Sequence, residues 1–372
     1  MIYFDNAATT FPKPDCVYEA INYGMKNYSF NAGRGSYKYA EDTFNMIKET
    51  RKKIANLLNA DADDVVFTSS ATESLNMIIS GLNLTETDNV YISPFEHNSV
   101  IRTLKLKKSN IFIIPFDKEW KLNEGKFNDM LVLNRPKAII ISHISNVTGY
   151  QLPYEKIFEI GKKFDSINIL DSAQGFGIYL INEKNVDMVV FAGHKSLYAM
   201  FGIAGFVNMG KIKLSVYKAG GTGSDTLNPN MPDIGYQRYE AGSLNSVAIY
   251  SINRSIDYLR KSNFKEIKYS LSKYFITKAK EFNFIKVYLP ENYISNGIIS
   301  FNIEGFKSDE IGLILGEEYN ICVRTGYHCA PLIHDFIDSK KYSGTVRISF
   351  SGFNTFDEID CLFNALERIA GE

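Results

Sequence analysis

Short apolar runs alternate with amphipathic stretches from about Val17 to Arg260. Val65 to Thr68 reads as a buried strand, followed by the polar turn Ser69-Ser70-Ala71-Thr72 and a helix from Glu73 to about Gly81. Further strands are predicted at Tyr91 to Ser93, Ile111 to Ile114, Ala138 to Ser142, Ile167 to Leu170, Met188 to Phe191 and Ile203 to Val207. These runs are apolar throughout rather than alternating, as expected where both faces of a strand are covered. The pattern therefore predicts an α/β fold with a mainly parallel sheet and helices on both sides. Such sheets place ligands beyond the carboxyl ends of their strands, and Thr72, His97, Asn146, Asp171 and Lys195 all fall at those ends.

The stretch from Lys211 to Gly242 is rich in Gly, Asn and Pro and only weakly periodic. It is long for a passive connection, so a site loop or a subunit contact is expected. Two helices follow, at about Val247 to Arg260 and Phe264 to Ala279. From Phe284 the pattern changes to short strands around Val287, Ile299 and Val346, with helices near Ser308 to Leu315 and Thr355 to Ile369, which predicts a smaller α+β unit. A single core stops growing near roughly 250 to 300 residues, so a chain of 372 is expected to divide. The expected parts are an N-terminal segment 1–16 associated with the small unit and the active site, a large ligand-binding domain 17–262, and a small C-terminal domain 263–372.

Composition narrows the partners. Lys and Arg total 41 against 42 Asp and Glu, a formal charge of −1, so no long-range attraction to nucleic acid or an anionic membrane is expected. A small-molecule ligand fits better. Cys16, Cys322, Cys329 and Cys361 form no CxxC pair and are too sparse for a disulfide framework, so a reducing, cytoplasmic setting is expected. The N-terminus carries no basic segment with an apolar run, and no apolar run reaches the roughly 18 residues that span a bilayer, which disfavours secretion and membrane insertion.

Within this frame, Lys195 ends the hydrophobic run Val189-Val190-Phe191-Ala192-Gly193-His194-Lys195, and Asp171 lies upstream in Leu170-Asp171-Ser172-Ala173-Gln174. A lysine amine can hold a carbonyl cofactor as an imine that an incoming amino acid displaces, and a protonated pyridine nitrogen needs a carboxylate beside it. An isolated aspartate here reads as a helix cap, and an isolated Thr72 as an N-cap. Paired, Lys195 and Asp171 read as the Schiff-base lysine and the ring-nitrogen partner of pyridoxal phosphate.

The chain closely resembles the class V aminotransferase family, in its cysteine desulfurase and selenocysteine lyase branch. The resemblance runs from Tyr3-Phe4-Asp5-Asn6-Ala7-Ala8-Thr9-Thr10 to Arg347-Ile348-Ser349-Phe350. Between them lie Thr68-Ser69-Ser70-Ala71-Thr72-Glu73, Glu96-His97-Asn98-Ser99-Val100, His143-Ile144-Ser145-Asn146, Gly193-His194-Lys195 and Arg324-Thr325-Gly326-Tyr327-His328-Cys329-Ala330-Pro331. It implies a fold-type I enzyme with a large, mainly parallel seven-stranded sheet, working as a homodimer with pyridoxal 5'-phosphate, and no metal. Lys195, Cys329 and His97 are the implied catalytic residues. Lys195 is assigned to the imine, Asp171 to the ring nitrogen, Gln174 to the phenolic oxygen, and His97 to ring stacking and proton transfer. Ala71, Thr72 and His194 are implied to cradle the phosphate, as amides at a helix start favour an anion. Thr222, in Gly221-Thr222-Gly223-Ser224, is the implied contribution of the neighbouring chain, with an ordinary flexible turn as the plainer alternative. Asn6, Asn146, Arg324 and Arg347 are assigned to the substrate, Asn146 also to the cofactor; a structural salt bridge is the alternative for Arg347.

The implied reaction converts L-cysteine to L-alanine and leaves sulfur on Cys329 as a persulfide, to be passed to a small thiol or an acceptor protein. Selenocysteine lysis, transamination and a non-catalytic cofactor-binding regulator are the competing readings. Two departures from the family pattern stand out. Ala192 replaces a serine that would donate to phosphate, and Tyr327 replaces the first of two histidines before the cysteine. Cys16, Cys322 and Cys361 are expected to be packing residues.

Overall fold

The computed structural model describes residues 1–33, 35–223, 227–233 and 235–371. Its thirteen strands among these residues are β1 Ile2–Tyr3, β2 Val65–Thr68, β3 Asn89–Ile92, β4 Asn110–Ile113, β5 Pro136–Ser142, β6 Ile167–Asp171, β7 Met188–Ala192, β8 Ala204–Asn208, β9 Ile285–Val287, β10 Ile298–Ile303, β11 Ile321–Cys322, β12 Arg324–Gly326 and β13 Thr345–Ser349. Seven of them form one sheet in the order β2-β8-β7-β6-β5-β3-β4. β7, β6, β5, β3 and β4 run parallel, and β8 lies antiparallel to both its neighbours. β7 and β8 are buried at every position, so both sheet faces are covered, one by each of two large apolar clusters. This is the mostly parallel α/β sheet that the unbroken apolar runs predict.

Element boundaries shift by one or two residues where a polar side chain leaves the ladder for another task. The strand expected at Tyr91 to Ser93 ends at Ile92, and the Ser93 hydroxyl turns to the Glu96 carboxylate instead. The helix expected from Glu73 begins at Ala71, because Ser70 caps it: its hydroxyl accepts from the Glu73 amide at 3.1 Å. Ala71 and Thr72 therefore belong to the first helical turn rather than to a loop, and helix geometry leaves their amides without intrahelical acceptors.

A second sheet, β12-β13-β10-β9, is antiparallel and packs with the Phe264–Ala279 and Phe356–Ala370 helices around a separate cluster of Phe275, Phe301, Ile348 and Phe363. The first residues of the chain tie the two sheets together. β1 pairs in parallel with β11, the Ser349 amide donates to the Phe4 carbonyl, and the Thr10 amide reaches the His194 carbonyl at 3.1 Å, one residue before Lys195. Among the described residues of Lys211 to Gly242 the only regular element is a 3-10 turn at Tyr236–Arg238. That stretch is anchored by a buried pair, Arg51 with Glu240. No helix of the described residues is long and apolar enough to cross a membrane.

Candidate active site

Beyond the carboxyl ends of β5, β6 and β7 lies a cavity whose lining includes Ala71, Thr72, His97, Asn146, Asp171, Gln174 and Lys195. The parallel register explains the convergence, since Ser142 at the end of β5 stands opposite Asp171 at the end of β6. Asp171 is buried, and its carboxylate accepts from the Ala173 amide at 3.0 Å. Burial pushes its pKa up, while the Ala173 amide and the Lys195 charge pull the other way. Burial likewise pushes the Lys195 ammonium down; Asp171 opposes this, and the charges of Arg347 and Arg324 add to it. A lysine so placed more readily offers the neutral amine that attacks a carbonyl.

His97 is the N-cap of the Asn98–Lys107 helix, and its Nδ1 accepts from the Ser99 amide at 3.1 Å. That bond leaves the proton of the neutral ring on Nε2. Burial, reinforced by the Lys195 and Arg324 charges, holds its pKa at about 4, so the ring is uncharged at neutral pH. The Gln174 side-chain amide donates to the Ala7 carbonyl at 2.9 Å, so the N-terminal segment also closes this wall. His194 stacks on Phe201 with centroids 4.5 Å apart, and its buried Nδ1 has no hydrogen-bond partner among the described residues. Ala192 is packed inside β7.

The cysteine loop sits on the other side. Cys329 is exposed, and it and His328 both adopt left-handed backbone, with φ of 56° and 46°. Such conformations persist in non-glycine residues only when the surroundings hold them. Here Asn146 Nδ2 donates to the His328 carbonyl at 2.7 Å, the Asn98 amide donates to the Cys329 carbonyl at 2.7 Å, and the buried His328 ring meets Thr345 Oγ1 at 2.8 Å. Arg324 Nη2 lies 3.6 Å from Cys329 Sγ. Arg347, opposite Arg324 across the β12–β13 ladder, is 1% exposed; its Nη1 donates to the Asn146 carbonyl at 2.9 Å and its Nη2 pairs with Asp5 at 2.7 Å.

His194, Arg324, Arg347 and Cys329 are not among the residues that line this cavity, and Asn6 and Thr222 are engaged elsewhere. Asn6 spends its side-chain amide on the Ser349 carbonyl at 2.8 Å and accepts from the Phe11 amide, joining the N-terminal segment to β13. Thr222 lines a different cleft, with Gly33, Phe44, Arg51 and Tyr236, and Ser224 lies outside the described residues. One expectation is corrected. Cys361 is exposed rather than packed, because it falls on the solvent side of an amphipathic helix whose Ile359, Leu362, Phe363 and Leu366 turn inward; Cys16 and Cys322 are half-buried. Glu96 and Asp5 are partners that the sequence reading left unassigned. Glu96 is fully buried and accepts from the Ser142 amide at 2.9 Å and the Ser142 hydroxyl at 2.8 Å. A carboxylate immediately before His97 was the available signal.

A mostly parallel seven-stranded sheet with a lysine, a buried aspartate and a neutral histidine converging at its strand ends defines the fold-type I class of pyridoxal-phosphate enzymes. A sequence model of the aminotransferase class-V family matches residues 2–362, and the chain belongs to that family. It is 29% identical over 390 residues to a probable cysteine desulfurase of Methanothermobacter thermautotrophicus, covering 100% of this chain and 95% of that protein. It is 31% identical over 393 residues to a cysteine desulfurase of Wigglesworthia glossinidia brevipalpis, covering 99% and 92%. The apo structure of a cysteine desulfurase from Thermococcus onnurineus superposes with a TM-score of 0.89 at 26% identity, over 99% of this chain and 94% of that one.

Proposed function

We propose that this protein is a cysteine desulfurase that uses pyridoxal phosphate to convert L-cysteine to L-alanine and collects the sulfur on Cys329. The observation that carries this reading is the bond from Asn146, which lines the cavity, to the carbonyl next to Cys329. It anchors an exposed thiol at the edge of the site that contains Lys195. The relatives named above favour cysteine over selenocysteine as the substrate.

The donor set suits the cofactor. Lys195 would hold its aldehyde carbon, Asp171 its ring nitrogen, Gln174 its phenolic oxygen and His97 one ring face. The first-turn amides of Ala71 and Thr72, with the His194 Nδ1 that finds no partner among the described residues, suit a phosphate. These amides are where compensation for the missing Ala192 hydroxyl is to be sought. When bound, pyridoxal phosphate supplies a carbonyl that captures the substrate amine and a ring that takes up the electrons released at Cα. Lys195 would take up the Cα proton, and His97 would hold its proton on Nε2. Arg347 and Arg324 receive the substrate carboxylate, with Asn146 beside it. Cys329 Sγ bonds to the substrate sulfur as the carbon–sulfur bond breaks, and the protonated carbon frame leaves as L-alanine.

We further propose a homodimer in which Thr222 contributes to the partner's phosphate site; its placement away from its own cavity supports this. A division at 1–16, 17–262 and 263–372 is supported by the separate apolar cluster around the second sheet. A persulfide passed on to a thiol or a protein acceptor suits a reducing, cytoplasmic setting, in line with four free cysteines among the described residues. Mass spectrometry after incubation with cysteine tests the central claim. One added sulfur on the Cys329 peptide, formed in step with alanine, is expected, and Cys329→Ala should abolish both. Rapid alanine formation over an unmodified Cys329 would reject the nucleophile.

A further inference from the structure

Arg347 is a fully buried cation whose only salt-bridge partner among the described residues is Asp5. Two other cations stand near it, Arg324 directly opposite on the ladder and Lys195, which feels the charge of both arginines, and besides Asp5 only the Cys329 thiol offers it negative charge among the described residues. Asp5 is held in place by its backbone, which bridges to Ser349, two residues along β13 from Arg347, while the Tyr3 hydroxyl donates to its carbonyl. Its side chain is partly open to solvent, with 22% exposure against 2% for Arg347. A carboxylate therefore already occupies the guanidinium that the substrate carboxylate is expected to reach.

We propose that Asp5 is a specificity-determining residue, the built-in counter-ion of Arg347 that orients the guanidinium and keeps it from capturing anions that have no second anchor. This rests on the reading of Arg347 as the substrate-carboxylate site. The substrate arrives with an amine as well as a carboxylate, and once the amine is held, the carboxylate acts at a high effective concentration and competes with Asp5 successfully. A simple carboxylate has one anchor only and loses that competition. Asp5 has room to yield, because one of its sides faces water, whereas Arg347 is fixed by the Asn146 carbonyl.

The test compares the full-length, cofactor-loaded enzyme with its Asp5→Asn variant, using acetate as a carboxylate without an amine, at constant ionic strength. Asn keeps an oxygen for Nη2 but removes the charge. Acetate should inhibit Asp5→Asn competitively with cysteine at concentrations at least about tenfold lower than in the wild type, because a full opposing charge in contact has been removed. Acetate should also raise the melting temperature of Asp5→Asn more than that of the wild type. Asp5→Glu, which restores the charge, should regain resistance to acetate, and Asp5→Ser, a smaller neutral replacement, takes the place of Asp5→Asn if that variant folds poorly. Equal acetate sensitivity in Asp5→Asn, Asp5→Glu and wild type would overturn the proposal. Adding Arg347→Ala separates the two readings. If the heightened acetate effect of Asp5→Asn survives that change, Arg347 is not the carboxylate site; if the effect appears in Asp5→Asn with Arg347 intact and is lost when Arg347 is also replaced, both stand.

Discussion

Replacing Glu96 with glutamine should stabilise the protein above neutral pH and leave it unchanged in mild acid. Glu96 has no exposed surface, and burial raises its pKa from 4.5 to about 7 against three donors, the Ser93 hydroxyl and the amide and hydroxyl of Ser142. In the native state it therefore keeps its proton to about pH 7, whereas in the unfolded chain it loses it near 4.5. Between those values the native state binds more protons than the unfolded one, so this group's contribution to stability is full below about pH 4.5 and falls as the pH rises through about 7. At about 1.4 kcal/mol per pH unit, the loss is about 3 kcal/mol. Glutamine reproduces the protonated form, with one oxygen to accept from the Ser142 amide and one donor toward a serine hydroxyl that can rotate to accept. Urea unfolding of wild type and Glu96→Gln should give matching stabilities at pH 4.5 and a variant more stable by up to about 3 kcal/mol at pH 8. A difference that stays constant with pH, or that grows toward acid, would refute this account of the carboxyl.

Lys268 offers the same reasoning with a base. It is buried over the Tyr179 ring, and burial alone lowers its pKa from 10.5 to about 8. Lys268→Met should therefore be more stable by up to about 3 kcal/mol below pH 8, with the gap closing as the pH approaches 10.5, as urea melts at pH 7 and pH 10 would show. Asn146→Ala should release the His328 carbonyl and with it the left-handed pair His328 and Cys329. A buried acceptor left without its donor costs about 1 to 3 kcal/mol, so alanine formation should fall by roughly tenfold while the cofactor's visible absorbance stays; turnover within twofold of wild type would show that the tether is dispensable.

Local pattern determined much of this protein. Apolar runs that do not alternate specify strands covered on both faces, and the Phe264–Ala279 helix appears with the bounds its periodicity predicts. The positions of Lys195 and Asp171 at strand ends follow from the same pattern, because a parallel sheet places all such ends on one side. Boundaries were less legible. Ser70 and Ser93 each read as loop or strand until their hydroxyls have partners, and those partners, Glu73 and Glu96, are chosen by the fold.

The pairings that give the site its character were decided only in three dimensions. Asp5 and Arg347 are 342 residues apart, Asn146 and His328 182 apart, and Glu96 and Ser142 46 apart. No periodicity relates such positions, because each contact depends on how β13, the cysteine loop and the end of β5 pack against elements distant in sequence. Charge and reactivity are properties of those contacts. A lysine, a histidine or a glutamate carries its ordinary pKa in the unfolded chain, and only burial beside particular neighbours makes Lys195 readier to shed its proton, His97 neutral and Glu96 reluctant to ionise.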